Sequence, residues 1–279
     1  MLKQMRTAAG LVVALACIIQ VAAQQKNTTV PSVSGTLAKL KSPRWMEREK
    51  AFGDAVELLQ LTTRTEDADR LRLGIIQLLD IENQDKTPAR SEAEGESHGE
   101  FHAGLIGYVG HMGDERAIPA LLGAAGTGGM ATRAVARFGK KALDPTLARI
   151  TGKDADLASD ALFVLRDMLE FRLISDAESL LRIKGALRLA LGSPAWQVRD
   201  GAMAAIEYLE DRQEFVPMLK ELADHDPFKI PSQPKGDGTV GDHYFVRQGA
   251  ARLLLKIENH ERPVVDSGLD PSEYQPVNQ

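Results

Sequence analysis

One phrase of this chain occurs twice, and that repetition restricts the fold more than any other feature. Ser42-Pro43-Arg44-Trp45-Met46-Glu47-Arg48-Glu49-Lys50-Ala51 and Ser193-Pro194-Ala195-Trp196-Gln197-Val198-Arg199-Asp200-Gly201-Ala202 share Ser, Pro, Trp, Arg, a following acid and Ala in register. The core Arg-x-x-Ala returns in Val246-Arg247-Gln248-Gly249-Ala250, and more loosely in Thr132-Arg133-Ala134-Val135-Ala136. Repetition on this scale marks an array of small supersecondary units. None can bury its own apolar face, and each is stabilised by stacking on its neighbours.

The units are helical. Trp45, Ala51, Phe52, Ala55, Leu58 and Leu59 form an apolar stripe at spacings of three and four, and Leu71, Ile75, Leu78 and Leu79 form another between about Glu66 and Ile81. Only a short Thr-rich turn separates them, which predicts an antiparallel αα-hairpin. Ser42-Pro43 reads as an N-cap followed by Pro at the first helical position. Two further helices are expected over Asp154–Leu169 and Asp176–Leu191. Asp114 to Leu122 and Arg212 to Leu219 share a β-branched–Pro–apolar centre, and Pro is tolerated in a first turn, where N–H groups lack intrahelical partners. Aromatic residues are only 5% of the chain, which also favours helices over a β-sandwich.

Gly110-x-x-Gly113-Asp114-x-x-Ala117-Ile118-Pro119-Ala120-Leu121-Leu122 resembles the HEAT family, in the short variant named after phycobilisome lyases. Val198-Arg199-x-x-Ala202 and Val246-Arg247-x-x-Ala250 look like the first-helix signature of the same repeat. The resemblance is strongest over 101–140 and 193–258 and degenerate over 143–191. It implies an all-α solenoid of about five to six antiparallel hairpins over 42–260. Ala51, Ala136, Ala202 and Ala250 would let its helices approach closely. Gly104, Gly107, Gly110 and Gly113 would make a thin face, in a helix each Gly weakens by about 1 kcal/mol.

Two insertions interrupt the array. Residues 83–99 are polar and Glu-rich, and read as disordered. Residues 226–242 are rich in Pro and Gly but hold Phe228 and Ile230, which suits a binding loop. The polar stretch 24–41 reads as a flexible leader and 261–279 as a disordered tail.

The N-terminus has the form of a signal peptide. Lys3 and Arg6 precede the apolar or small run Leu11 to Ile19, and Val21-Ala22-Ala23 offers small residues for cleavage after Ala23. A periplasmic or secreted location is expected, with no membrane span after cleavage. An uncleaved N-terminal anchor is the alternative. Cys17, the only cysteine, lies inside this segment. The mature chain would therefore have no disulfide, thiol nucleophile or Cys-ligated zinc. Removing Lys3 and Arg6 takes the formal net charge from −5 to −7, a balance that argues against a nucleic-acid partner.

No catalytic constellation emerges. Gly126-Thr127-Gly128-Gly129-Met130-Ala131 spells a dinucleotide fingerprint but follows a helical segment, not a strand, and reads as a turn. His98 and His102 stand i, i+4 apart, but the first falls in the expected disordered insertion, and no metal or other cofactor is assigned. Asp237 to Asp242 lacks the alternating acids and terminal Glu of a calcium loop. His260-Glu261 is the only His-Glu pair for the iron-dependent hydroxylases built on HEAT repeats. Arg133, Arg137, Lys140 and Lys141 form a basic stripe that reads as a solvated face. Arg48, Arg199 and Arg247 recur at one repeat position and are expected to bond carboxylates or carbonyls. Trp45 and Trp196 are expected to cap the hydrophobic seam.

These features favour a non-enzymatic scaffold that binds a protein or peptide. The candidate partner-binding residues are Phe228, Lys229, Ile230, Asp237, Asp242 and His243, carried by the second insertion. Two alternatives are a ligand-attaching, lyase-like enzyme on the same fold and a metal-dependent binding module.

Overall fold

The computed structural model describes residues 31–231 and 242–262. The expected signal peptide and most of the expected C-terminal tail lie outside them. The chain divides into two compact units, with the boundary between Arg72 and Leu73. Twelve α-helices and one two-stranded ladder occur among the described residues.

Among its described residues, the first unit has α1 (Val33–Lys39) where a flexible leader was expected. Ser32 caps it by accepting the Gly35 N–H at 3.1 Å. Leu40, only 1% exposed, ends it, and α1 packs on α2 (Trp45–Leu61). The Ser32 cap and the burial of Thr36 and Leu40 account for the order of this segment. In α2 the buried residues are Arg48, Ala51, Ala55 and Leu58, the face predicted from spacing. The helix begins at Trp45, two residues later than expected. Ser42 Oγ accepts the Arg44 N–H at 3.2 Å in a local turn instead of capping, and Arg48 Nη1 donates to the Ser42 carbonyl at 3.0 Å. The helix α3 (Thr65–Gln84) starts in this unit and carries the chain across the boundary.

In the second unit, from Leu73 onward, two rows of helices alternate. The first row is α4 (Glu92–Met112), α6 (Gly129–Ala136), α8 (Ala155–Glu170), α10 (Trp196–Ile206) and α12 (Phe245–Glu258), each packed on the next. The other helices are α5 (Ile118–Gly123), α7 (Lys140–Ile150), α9 (Ala177–Leu191) and α11 (Val216–His225). Of these, α5 packs on α7 and α7 on α9. Each is also packed against the first-row helix that follows it. This two-row stack is an α-solenoid of helical repeats. Its core is a continuous run of Leu, Ile, Val and Ala, including Leu105, Leu121, Val135, Leu143, Leu162, Leu165, Ile183, Ala202, Ile206, Leu219 and Leu253. Asp154 and Asp176 cap α8 and α9: Asp154 Oδ1 accepts from Asp156 and Leu157, and Asp176 Oδ1 from Ser179. Short 3-10 turns deliver Pro119 and Pro217 into the first turns of α5 and α11.

Residues 92–99, expected to be disordered, are the first two turns of α4. Ser91 Oγ accepts the Glu94 N–H at 3.2 Å, and Glu94 Oε2 reaches back to the Arg90 N–H at 2.7 Å. This reciprocal pair is close to a capping box, and it outweighs the polar composition. The four spaced glycines do not act alike. Gly113 ends α4 with a left-handed φ of 67°, Gly110 touches α6, and Gly104 faces open space. The fingerprint-like Gly126 to Ala131 is a turn: a 3-10 segment, Gly128 at φ 123°, and then α6.

Candidate functional site

The second insertion is built on a buried ion pair. Asp226, at the C-terminal end of α11, is 2% exposed, and Arg199, on α10, is 6% exposed. Arg199 Nε and Nη2 donate to the two carboxylate oxygens at 2.6 and 2.9 Å, a two-pronged bond that matches the planar shapes of both groups. Its Nη1 donates to the carbonyls of Ser193 and Pro194 at 2.7 and 2.9 Å. The Asp226 carbonyl accepts from Arg247 Nε at 2.7 Å, and the Asp226 side chain also accepts the Phe228 N–H at 2.9 Å. The recurrent arginines thus meet carboxylates and carbonyls, as their repetition implied.

This lock holds an aromatic ledge in place. The Phe228 ring stacks on Trp196 at 4.5 Å between centroids and 10° between planes, and Phe245 meets Trp196 edge-on at 5.8 Å. The His243 ring lies 6.3 Å from that of Phe245, and the Arg247 guanidinium covers the Tyr244 ring at 4.3 Å. The three stacked rings are half-buried. Beyond them Ile230 and Pro231 pair antiparallel with His243 and Asp242 as β1 (Ile230–Pro231) and β2 (Asp242–His243), closing the base of the insertion. Lys229 Nζ donates to Asp242 at 2.8 Å, and this bond holds the lysine pKa above its usual value.

Of the predicted partner-binding residues, the structure gathers Phe228, Lys229, Ile230, Asp242 and His243 on this ledge. Asp237 lies outside the described residues. Phe228 is committed to Trp196, Lys229 and Asp242 to each other, and Ile230 is 44% exposed. Trp196, Phe245, Arg199 and Asp226 were missed as parts of the site. The repeated Trp and Arg were the available signal, but nothing local pairs Arg199 with a carboxylate 27 positions away.

The basic stripe is divided. Lys140 pairs with Asp176 at 3.4 Å and Lys141 with Glu115 at 2.7 Å, while Arg137 has a buried Nε with no hydrogen bond.

A second cluster lies where α3 ends. Asp85, just past the helix, joins Glu82 and His98 with one potential ligand atom each, all within 4.8 Å of one another. His98 Nε2 is 2.7 Å from Glu82 Oε2, and the glutamate side chain is fully buried. His102 turns elsewhere, with Nε2 2.9 Å from Asn83 Oδ1, while Asn83 Nδ2 donates to the Ala120 carbonyl at 2.8 Å. The His102 pKa is lowered, chiefly by burial; Glu82 opposes the shift, and His98 and Lys86 add to it. The i, i+4 histidines therefore do not act as a pair. His98 sits on an ordered helix, and its nearest potential co-ligands are carboxylates.

No protein-family model matches the chain, and no curated protein matches it. Among solved structures, a computationally designed armadillo repeat protein for modular peptide recognition is similar at 14% identity, with a TM-score of 0.37, over 80% of this chain and 99% of that one. A second designed armadillo repeat protein is also 14% identical, with a TM-score of 0.38 over the same shares. No helix among the described residues is long and apolar enough to cross a membrane.

Proposed function

We propose that this chain is an extracytoplasmic scaffold that binds a protein or peptide through the aromatic ledge of its second insertion, without catalysing a reaction. The observation that carries the reading is the half-exposed Trp196–Phe228–Phe245 stack held over the buried Arg199–Asp226 pair. Aromatic side chains fixed before binding lose little entropy on contact and concentrate interface energy. The rim of Ile230, the Lys229–Asp242 pair and His243 suits an extended segment with an apolar anchor flanked by polar groups. Short HEAT-like repeats of the phycobilisome-lyase type remain our assignment for the array, supported by Gly110 to Leu122 and the two Val-Arg-x-x-Ala helices. The export reading rests on Lys3, Arg6, the apolar run and Val21-Ala22-Ala23.

The test uses Trp196 as reporter. A partner captured from the extracytoplasmic fraction, or a peptide from it, is titrated against the Trp45→Phe protein and followed by Trp196 fluorescence. Saturable quenching, lost in Ile230→Asp while the helical circular dichroism is unchanged, supports the reading. A captured partner whose affinity is the same for Ile230→Asp, Lys229→Glu and the parent protein places the interface elsewhere and defeats it.

A further inference from the structure

We infer that Glu82, Asp85 and His98 form a binding site for one divalent transition-metal ion, with zinc the best chemical match. The donor set is one imidazole nitrogen and two carboxylates, drawn from the end of α3, the residue beyond it and the second turn of α4. A nitrogen donor in a small cluster disfavours calcium and magnesium, which take oxygen shells, and suits zinc and its neighbours in the first transition row. Zinc holds nitrogen and oxygen donors at about 2.0–2.2 Å, so tetrahedral ligands stand roughly 3.3 Å apart. The three atoms already lie within 4.8 Å of one another, so small side-chain rotations would bring them to that spacing.

The surroundings match the chemistry. The Glu82 side chain is fully buried beside His98, and a metal bound there would compensate its desolvated charge directly. The C-terminal end of α3 adds its negative dipole end, which favours a cation. Asp85 is positioned by an Asx turn, its Oδ1 accepting the Thr87 N–H at 2.9 Å. Asn83 fixes the same helix end to the Ala120 carbonyl and holds His102 aside. Binding uses the lone pair of His98 Nε2, so the neutral imidazole carries its one ring proton on Nδ1 in the metal-bound form. Three protein ligands leave a fourth position open to water.

The test takes the metal-stripped, tag-free protein and titrates it with Zn²⁺ by calorimetry and with Co²⁺ by visible absorption. One equivalent should bind, with the intense visible bands of four-coordinate cobalt. Asp85→Asn, which leaves the His98–Glu82 hydrogen bond in place, and His98→Ala should each weaken binding at least about tenfold, whereas His111→Ala should not. Absence of a saturable single equivalent overturns the site. So does equal affinity in Asp85→Asn, His98→Ala and the parent protein. Either result leaves the Glu82–His98 hydrogen bond with no metal role.

Discussion

Arg199 is the residue on which most of the second insertion depends. Its guanidinium makes four hydrogen bonds, two to the Asp226 carboxylate and two to the Ser193-Pro194 turn. Replacing it with Met leaves a buried carboxylate without its cation, and Arg199→Met should lower the unfolding free energy by about 3–5 kcal/mol in urea titrations. Adding Asp226→Asn should return part of that loss, and the double-mutant cycle measures the coupling. A second residue-scale expectation concerns Asp160. Its carboxyl is pushed above the usual range by burial, with Asp156 and Asp154 adding to the effect and Arg149 opposing it. A carboxyl with a raised folded-state pKa contributes stability below its unfolded pKa and loses that contribution as pH rises through the folded value. Asp160→Asn should therefore raise the urea midpoint at neutral pH and leave it unchanged at about pH 3, where both states are protonated. An equal gain at both pH values would mean the carboxylate charge is not responsible.

At the scale of elements, α4 separates packing from propensity. A Cβ at Gly110 would meet that of Ala134 on α6 at 2.8 Å, whereas one at Gly104 meets nothing within 4 Å. Gly110→Ala should cost about 1–3 kcal/mol through overpacking, and Gly104→Ala should add about 0.5–1 kcal/mol through backbone entropy. Ser91→Ala should cost about 1 kcal/mol and speed amide exchange over 92–99, because Ser91 caps the turns that composition alone marked as disordered. That segment shows the limit of what was legible. Apolar spacing located α2, α3, α8 and α9 to within a few residues, since burial of a stripe requires it. The helices over 33–39 and 92–99 carry local caps at Ser32 and Ser91, and Thr36 and Leu40 are buried, features that average composition hides. The ledge was half legible. Phe228 and Ile230 stood out among prolines, but Trp196 and Phe245 join them only because α10 and α12 are neighbours in the stack.

On the scale of the molecule, the second unit behaves as a row of elements held by nearest neighbours. The helices α8 and α10 are packed by first-row helices on both sides, while α12, among the described residues, has only α10 in its row. Native-state hydrogen exchange should therefore show the slowest amides in α8 and α10 and faster exchange in α12. Uniform protection across the row would mean the array unfolds as one block. The closed base of the second insertion has a different consequence. Asp226 is locked before the chain leaves α11's end, and the Ile230–Pro231 and Asp242–His243 ladder returns it to α12. The ladder therefore sets the chain at 231 and at 242 side by side. Doubling the length of a flexible sequence inserted there costs only about 0.6 kcal/mol in closure entropy. The position between 231 and 242 is thus a socket into which foreign sequence can be grafted, and from which display length can be varied, with little burden on the helices that carry it.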